Sequence, residues 1–189
     1  MRWVGIIKGE NLSNTPKSKR SPTKFEAEHN FYALRDQVTQ LMLIDFGFSE
    51  EKFKRSIEKY RNNHKSSANV DEVVTRYQKK SEAFTNFFID YECKAILDIL
   101  RDISREFTLA NSIYPSNKTP SLISEYCQRR KHLNEAIGLC YTLKQEIQYV
   151  IRALPIDMNK YKLYDDLINK QIALFKGVRK ADNRFLKSK

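Results

Sequence analysis

Few residues of this sequence have the types and spacing that helical enzymes use. Glu26-Ala27-Glu28-His29 is a single Glu-x-x-His motif, whereas a di-metal carboxylate site needs that motif on two helices and two further inward Glu. Cys127 and His132 lie five positions apart, which suits no nucleophile–base pair on a helix. No His follows an Arg at the spacing of a helical ribonuclease, and no Gly-rich loop is present to cradle phosphate. We therefore predict that the protein is not an enzyme and holds no cofactor or metal.

Clusters of positive charge are the stronger signal. One cluster consists of three consecutive cations, and the other is a stripe that recurs about every four residues near the end of the sequence. The candidate contact residues are Arg129, Arg130, Lys131, Lys176, Arg179, Lys180, Arg184 and Lys187. Secondary candidates are Arg105, Lys17, Lys19 and Arg20.

The three consecutive cations fan over about 200° of a helix, so some of them must point beside the core. An Arg in that position either contacts a partner or snorkels as a structural residue. Both roles remain open, and the sequence favours contact.

Two long predicted helices position these clusters. Apolar periodicity predicts helices over 121–154 and 158–186. Pro155 ends the first helix and Asp157 can cap the second, so the connection is very short and the helices lie antiparallel. Thr119 can cap the first of the two helices. Antiparallel packing brings both basic clusters to one end of the hairpin.

A further predicted helix, 70–111, is antiparallel to 121–154 and brings Arg101 and Arg105 to the same end. Asp98, Asp102 and Glu106 partly neutralise these two Arg. The aromatic residues of this helix follow one face and are predicted to be core: Phe84, Phe87, Phe88 and Tyr91. Its first turns are expected to pack on a short helix over 50–62. Gly138, inside 121–154, is predicted to mark a close helix approach.

The remaining pattern gives an all-α fold with one domain. A helix over 25–46, ended by Gly47, joins the three long ones as an up-down-up-down four-helix bundle. Ser49 can cap the extra short helix. Residues 1–24 are predicted to be a flexible basic arm, and 25–189 the bundle domain.

The excess of positive charge in the composition restricts the classes of binding partner. The 189 residues carry 34 Lys+Arg against 23 Asp+Glu, a net charge of +11, which favours RNA, DNA or an anionic membrane. A protein that merely has a high isoelectric point remains an alternative. Three Cys and three His are too few for a disulfide framework or zinc site, so the Cys are predicted to be small core residues. No apolar run spans a membrane and no signal peptide begins the sequence, which predicts a cytoplasmic protein.

Several segments after Phe84 resemble a known family. They are Ala110-Asn111-Ser112-Ile113-Tyr114-Pro115, Arg129-Arg130-Lys131-His132-Leu133-Asn134-Glu135-Ala136-Ile137, Asp157-Met158-Asn159-Lys160-Tyr161 and Lys176-Gly177-Val178-Arg179-Lys180-Ala181-Asp182-Asn183-Arg184. These segments are similar to the Avd-like accessory proteins encoded beside reverse transcriptases in diversity-generating retroelements. The resemblance covers a little over half of the chain. It implies a basic, barrel-shaped homopentamer without catalytic residues, which binds the reverse transcriptase and its structured template RNA.

The expected function is that of a non-catalytic RNA-binding accessory subunit that supports mutagenic cDNA synthesis in the cytoplasm of a bacterial or phage-infected cell. By resemblance, the basic residues of the last two helices face the nucleoprotein partner. Two alternatives remain: a helical protein–protein adaptor, and a DNA-binding accessory protein of a mobile element.

Overall fold

The structure of the protein is a computed structural model that describes residues 22–44, 46, 49–63, 69–115, 120–154 and 159–186. These residues form helices and no strand, which confirms the all-α class. The helices are α1 (Lys24–Leu43), α2 (Glu50–Asn63), α3 (Val70–Ser112), α4 (Leu122–Ala153), α5 (Asn159–Ala181) and a 3₁₀ helix (Asp182–Leu186) that follows α5. Their bounds lie close to the predicted ones. Residues 1–21 of the predicted arm, and the predicted turn residues Gly47, Thr119, Pro155 and Asp157, lie outside the described residues.

Hydroxyl side chains cap the N-termini of two of the helices. Thr23 Oγ1 accepts a hydrogen bond from the backbone N–H of Glu26 at 3.1 Å and so caps α1. Ser49 Oγ lies 3.5 Å from the backbone nitrogen of Lys52 at the start of α2, as predicted. Both contacts satisfy N–H groups that have no partner within the helix.

Three pairs of packed helices, α3 with α4, α4 with α5 and α1 with α5, are antiparallel. On α4 and α5, Asn134 contacts Arg179 whereas Lys144 contacts Asp165, so a later residue of α4 meets an earlier residue of α5. Contacts between α3 and α4 and between α1 and α5 run in opposite directions in the same way. A thinner contact joins α1 to α3.

One apolar core lies between α1, α3, α4 and α5. Its largest fully buried side chains are Phe31, Phe46, Phe175, Leu34, Ile96, Leu100, Ile103, Leu133, Leu143, Ile147, Ile151 and Ile168. A separate small cluster of Ile57, Val70 and Val74 joins α2 to the first turns of α3. This confirms that the overlong helix packs at its beginning on the short one.

The prediction of an aromatic core cluster on α3 is wrong for two of its members. Phe87 is 74% exposed and Tyr91 61% exposed, and their rings stack on each other with centroids 6.1 Å apart. Phe88 is partly buried, and the side chain of Phe84 lies outside the described residues. The buried face of α3 runs instead through Ile89 and Glu92. Because Glu92 is charged, the sequence pattern did not indicate that this face is buried.

Glu92 is a carboxyl group within the core, with its Oε2 atom buried and unpartnered. Burial raises the pKa of this carboxyl above its ordinary value, and the nearby Glu146 carboxylate adds to the increase. The protonated form of Glu92 is therefore favoured by the fold.

The close helix approach predicted at Gly138 is wrong, and a close approach occurs at Gly177, where none was predicted. A Cβ added at Gly138 would have no atom within 4 Å, so the predicted close helix approach does not exist there. A Cβ at Gly177 would lie 2.6 Å from two ring atoms of Pro22. The close approach in this fold is therefore between α5 and the residues just before α1.

Candidate nucleic-acid interface

The antiparallel packing brings the predicted basic clusters of α4 and α5 together. Tyr126, near the start of α4, donates a hydrogen bond to Asn183 Oδ1 in the 3₁₀ helix at 2.8 Å. Arg130, one turn later, donates to the same oxygen at 3.3 Å. These contacts join the beginning of α4 to the end of α5, so the predicted meeting of the two clusters is confirmed.

Arg129, which the sequence assigned to the contact surface, is buried instead. Only 7% of it is exposed, and its Nε donates to Asp182 Oδ2 at 2.7 Å. Its Nη1 donates to the backbone carbonyls of Ala110 and Ile113 at the end of α3. These carbonyls have no partner within the helix, and a cation is favoured at that negative end of the helix dipole. Arg129 is therefore a structural clamp between α3, α4 and the 3₁₀ helix.

The neighbouring cations lie differently, along the outer junction of the two helices. Arg130 Nη1 donates to Tyr126 Oη at 2.8 Å, Arg179 Nη1 donates to Asn134 Oδ1 at 2.6 Å, and Lys176 Nζ donates to Tyr141 Oη at 2.8 Å. Arg130 and Lys176 also lie over the rings of Tyr126 and Tyr141. We call this row the α4–α5 seam; its cations are Arg130, Lys176 and Arg179.

The acceptors of the seam cations are neutral, whereas Arg101, Arg105 and Arg129 each pair with a carboxylate. A tyrosine hydroxyl or an asparagine oxygen positions a cation without cancelling its charge, whereas a carboxylate cancels it. The acceptors Tyr126, Asn134, Tyr141 and Asn183 were missed by the sequence analysis. Only the i, i+4 spacing of Tyr126 and Arg130 was a visible signal for them.

Three other predicted contact residues lie beside the seam. Lys131, Lys180 and Arg184 are exposed, and the Arg184 guanidinium lies 5.1 Å from the centroid of the Phe185 ring. Lys187 and the arm residues Lys17, Lys19 and Arg20 lie outside the described residues. Exposed cations of α4, α5 and the 3₁₀ helix thus accompany the seam.

The secondary candidate Arg105 is neutralised. It pairs with Asp102 at 3.1 Å and with Glu106 at 3.3 Å, while Arg101 pairs with Asp98 at 2.8 Å. This confirms the expected compensation by acidic neighbours.

The sequence predicts a register in which Arg101 lies level with Lys131 and Arg105 lies level with Cys127, and this register is wrong by more than one helical turn. Glu106 lies opposite His132, at 2.7 Å, so Arg101 lies further from Arg130 along the helices than expected. The cause is that the first turn of α4 extends past the end of α3.

Glu106, which pairs with Arg105, also contacts His132 of α4. The hydrogen bond with His132 holds the pKa of the Glu106 carboxyl below its usual range, and Arg105 contributes in the same direction. The anionic form of Glu106 is therefore favoured beside Arg105 and His132.

The thiols offer little chemistry. Cys140 is buried as predicted, and burial raises the pKa of its thiol to about 12. Cys127, predicted to lie in the core, is exposed.

Within the part of the chain that the structure describes, no three His, Cys, Asp or Glu side chains could together hold a metal ion. No helix in that part is both long and apolar enough to cross a membrane.

Comparison of the chain with protein-family models, curated proteins and solved structures gave no match. The family resemblance of the sequence therefore stays a prediction.

Proposed function

We propose that the protein is a non-catalytic RNA-binding accessory subunit that associates with a reverse transcriptase and its structured template RNA and supports cDNA synthesis. In this proposal the packed helices form an up-down-up-down four-helix bundle that acts in the cytoplasm of a bacterial or phage-infected cell. A homo-oligomer, a pentamer by resemblance, would multiply the basic surface. The α4–α5 seam is the observation that carries the RNA-binding part of the proposal.

The seam suits a phosphate backbone because its charges are positioned but not cancelled. From Arg130 to Tyr141, the acceptor of Lys176, α4 rises about 16 Å. At the rise of B-form DNA, about 3.4 Å per nucleotide in one strand, this length spans about five phosphates, and the shorter rise of an A-form RNA duplex places at least as many along it. Arg130 and Arg179 present planar guanidinium groups, which match phosphate oxygens in pairs. Binding of this kind is electrostatic, with base readout minor.

A matched pair of double variants tests the seam. Arg130→Gln/Arg179→Gln removes two seam charges, and Arg101→Gln/Arg105→Gln removes two charges that are already neutralised on α3. We expect the seam variant to weaken binding of structured RNA and to flatten the plot of log affinity against log salt by about 0.9 for each duplex phosphate that it no longer neutralises. The α3 variant should stay near the wild-type slope. Equal effects of the two variants, or a wild-type affinity independent of salt, would contradict the proposal.

The reverse-transcriptase link needs a separate test. The proposal predicts a reverse-transcriptase gene beside the gene for this chain, co-purification of the two products, and cDNA synthesis that falls when this chain is omitted. Cleaved RNA, or cDNA synthesis that is unaffected by omission, would count against an accessory role. An equal preference for duplex DNA would favour the DNA-binding alternative.

A protein–protein adaptor is the second candidate, and one observation favours it. Phe87 and Tyr91 form an exposed, stacked aromatic pair on α3, and exposed aromatic residues are enriched at protein interfaces. The adaptor function predicts that Phe87→Ser abolishes partner capture while RNA affinity keeps its wild-type value. The RNA-binding function predicts the reverse for the seam variant.

A further inference from the structure

A cavity of about 290 Å³ lies at the end of the molecule where α1 begins and α3 and α5 end. The volume is at the small end of the range for ligand pockets. Half of the residues that line it are apolar or aromatic: Pro22, Phe25, Tyr114, Val178, Ala181 and Phe185. A recess of this size and lining suits one large apolar side chain better than an extended ligand.

Two of the rings in the lining are largely exposed to solvent. Tyr114 is 71% exposed and Phe25 is 69% exposed. The Tyr114 ring also meets the Phe185 ring edge to face, with centroids 5.7 Å apart, so a ring contact positions it. Burial of aromatic surface is favourable. An apolar group that entered the cavity would therefore be stabilised by these rings and would cover them.

The chain itself carries such a group close to the cavity. Pro22, which lines the cavity, is the first residue that the structure describes, and residues 1–21 precede it. Residues 8–21 are mainly polar or charged, with Leu12 as their large apolar side chain. The other large apolar residues of this part of the sequence lie together at its beginning: Trp3, Val4, Ile6 and Ile7.

The length of the connection favours the cavity of the same chain. Residues 4–21 separate Trp3 from Pro22, and a polar linker of this length has a root-mean-square span of about 23 Å. Such a tether maintains an effective concentration in about the millimolar range, above that of a second copy in dilute solution. The exposed pair of Phe87 and Tyr91 is a poorer target, because Phe87 lies about 37 Å before the end of α3.

The charged lining favours tryptophan over the aliphatic residues that follow it. Lys24 lines the cavity, with its Nζ 5.2 Å from the centroid of the Phe25 ring. Tryptophan offers the best aromatic face for a cation. Arg129 and Asp182, which also line the cavity, neutralise each other at 2.7 Å. An indole ring therefore meets apolar surface and a cation at the same site.

We infer that the end cavity is the docking site of Trp3 of the same chain, with the indole ring against Phe25 and Tyr114 and beside Lys24. Residues 4–21 then form a loop that is held at both ends, in place of the flexible arm that the sequence predicts. The basic residues of this loop lie at the same end of the molecule as the 3₁₀ helix. The inference goes beyond the proposed function and does not depend on RNA binding.

Intrinsic fluorescence of the full chain without RNA tests the docking, because Trp3 is its single tryptophan. Burial of a large aromatic side chain favours the docked state by about tenfold or more. We therefore expect Phe25→Ser/Tyr114→Ser to shift the emission to longer wavelength and to increase quenching by acrylamide severalfold. Tyr32→Ser/Phe87→Ser is the matched control, since it removes one ring from α1 and one from α3 outside the cavity, and it should keep the wild-type values. All four rings are more than half exposed, so both variants should keep the wild-type helicity.

A mixture of two variants identifies the chain that supplies the tryptophan. The Phe25→Ser/Tyr114→Ser chain keeps Trp3 but lacks both rings, whereas a Trp3→Leu chain keeps the cavity. The two chains are dissociated in urea and refolded together. Docking within one chain predicts that the tryptophan stays as open to acrylamide as in the double variant alone.

Three results would overturn the inference. Protection that returns in the mixture would show that a second copy supplies the tryptophan. Equal quenching of the wild type and the Phe25→Ser/Tyr114→Ser variant would show that the cavity does not hold it. A Tyr32→Ser/Phe87→Ser control that loses as much protection as the cavity variant would place Trp3 on another surface. None of these results bears on the salt dependence of RNA binding, so the proposed function is tested separately.

Discussion

Replacing Arg129 with Met is expected to destabilise the fold strongly, although its neighbour Arg130 is expendable for stability. Arg129 is buried, and the substitution would leave the Asp182 carboxylate, itself buried, without its partner. The carbonyls of Ala110 and Ile113 would also be left without their donor. Removal of one member of a buried ion pair costs about 3–5 kcal/mol. For a chain of this size, that cost lowers the melting temperature by about 6–20 °C.

Urea unfolding followed by circular dichroism measures this free energy, with Arg130→Gln as the matched control. Arg130 is half-buried and bonds two neutral oxygens, so its replacement should cost no more than about 1 kcal/mol. The double variant Arg129→Met/Asp182→Leu should recover most of the stability, because an apolar pair avoids burying an unpaired charge. An Arg129→Met protein as stable as Arg130→Gln would refute the structural role of Arg129 and return it to the contact surface.

Three further predictions concern residues outside the proposed interface. Gly138→Ala should stabilise the protein by about 1 kcal/mol, because alanine favours the helix and its Cβ meets no atom within 4 Å. Gly177→Ala should destabilise the protein, because the added Cβ would clash with Pro22. The melting temperatures of the two variants should therefore shift in opposite directions from that of the wild type. Since burial raises the pKa of Glu92, the wild type binds more protons folded than unfolded and loses stability as pH rises above about 4.3, the unfolded value. The stability of Glu92→Gln relative to wild type, measured by urea unfolding, should therefore increase as the pH rises above the unfolded pKa of about 4.3, and a difference that stays constant with pH would contradict this. Phe87→Ser should cost under about 0.5 kcal/mol, because the ring is 74% exposed, and a decrease of several kcal/mol in the same unfolding measurement would place Phe87 in an interface or core.

Capping preferences and apolar periodicity, which depend only on neighbouring residues, predicted the helices and several of their ends. Ser49 stands where the sequence predicted a capping hydroxyl, whereas the Thr23 cap of α1 was not predicted. Apolar periodicity marked most of the buried face of α4. On α3 the periodicity identified the buried residues from Ile96 to Ala110 but failed near Phe87 and Tyr91, because Glu92 occupies a buried position. A sequence pattern assigns such a residue to the surface and so selects the neighbouring stripe that contains Phe87 and Tyr91.

Antiparallel packing of α4 on α5 also followed from the sequence, since a short connection permits little else. The register of α3 on α4 did not, because it depends on how far α4 extends past the end of α3. That shift moves Arg101 and Arg105 by more than one turn along α4, and acidic neighbours on α3 neutralise both of them. The acceptors of the seam cations escaped notice for a related reason: Asn134 and Tyr141 lie 45 and 35 positions from the cations that they bind.

The sequence by itself determined an all-helical chain with an excess of positive charge and two basic clusters that meet at one end. Only the tertiary structure decided which of those charges face outward. Arg129 and Arg130 are consecutive and chemically identical, yet about 100° of helical rotation separates them. One points at Asp182, 53 positions away, and the other at a neutral hydroxyl on its own helix. Whether a guanidinium becomes a clamp or a contact therefore depends on the groups that distant segments place beside it.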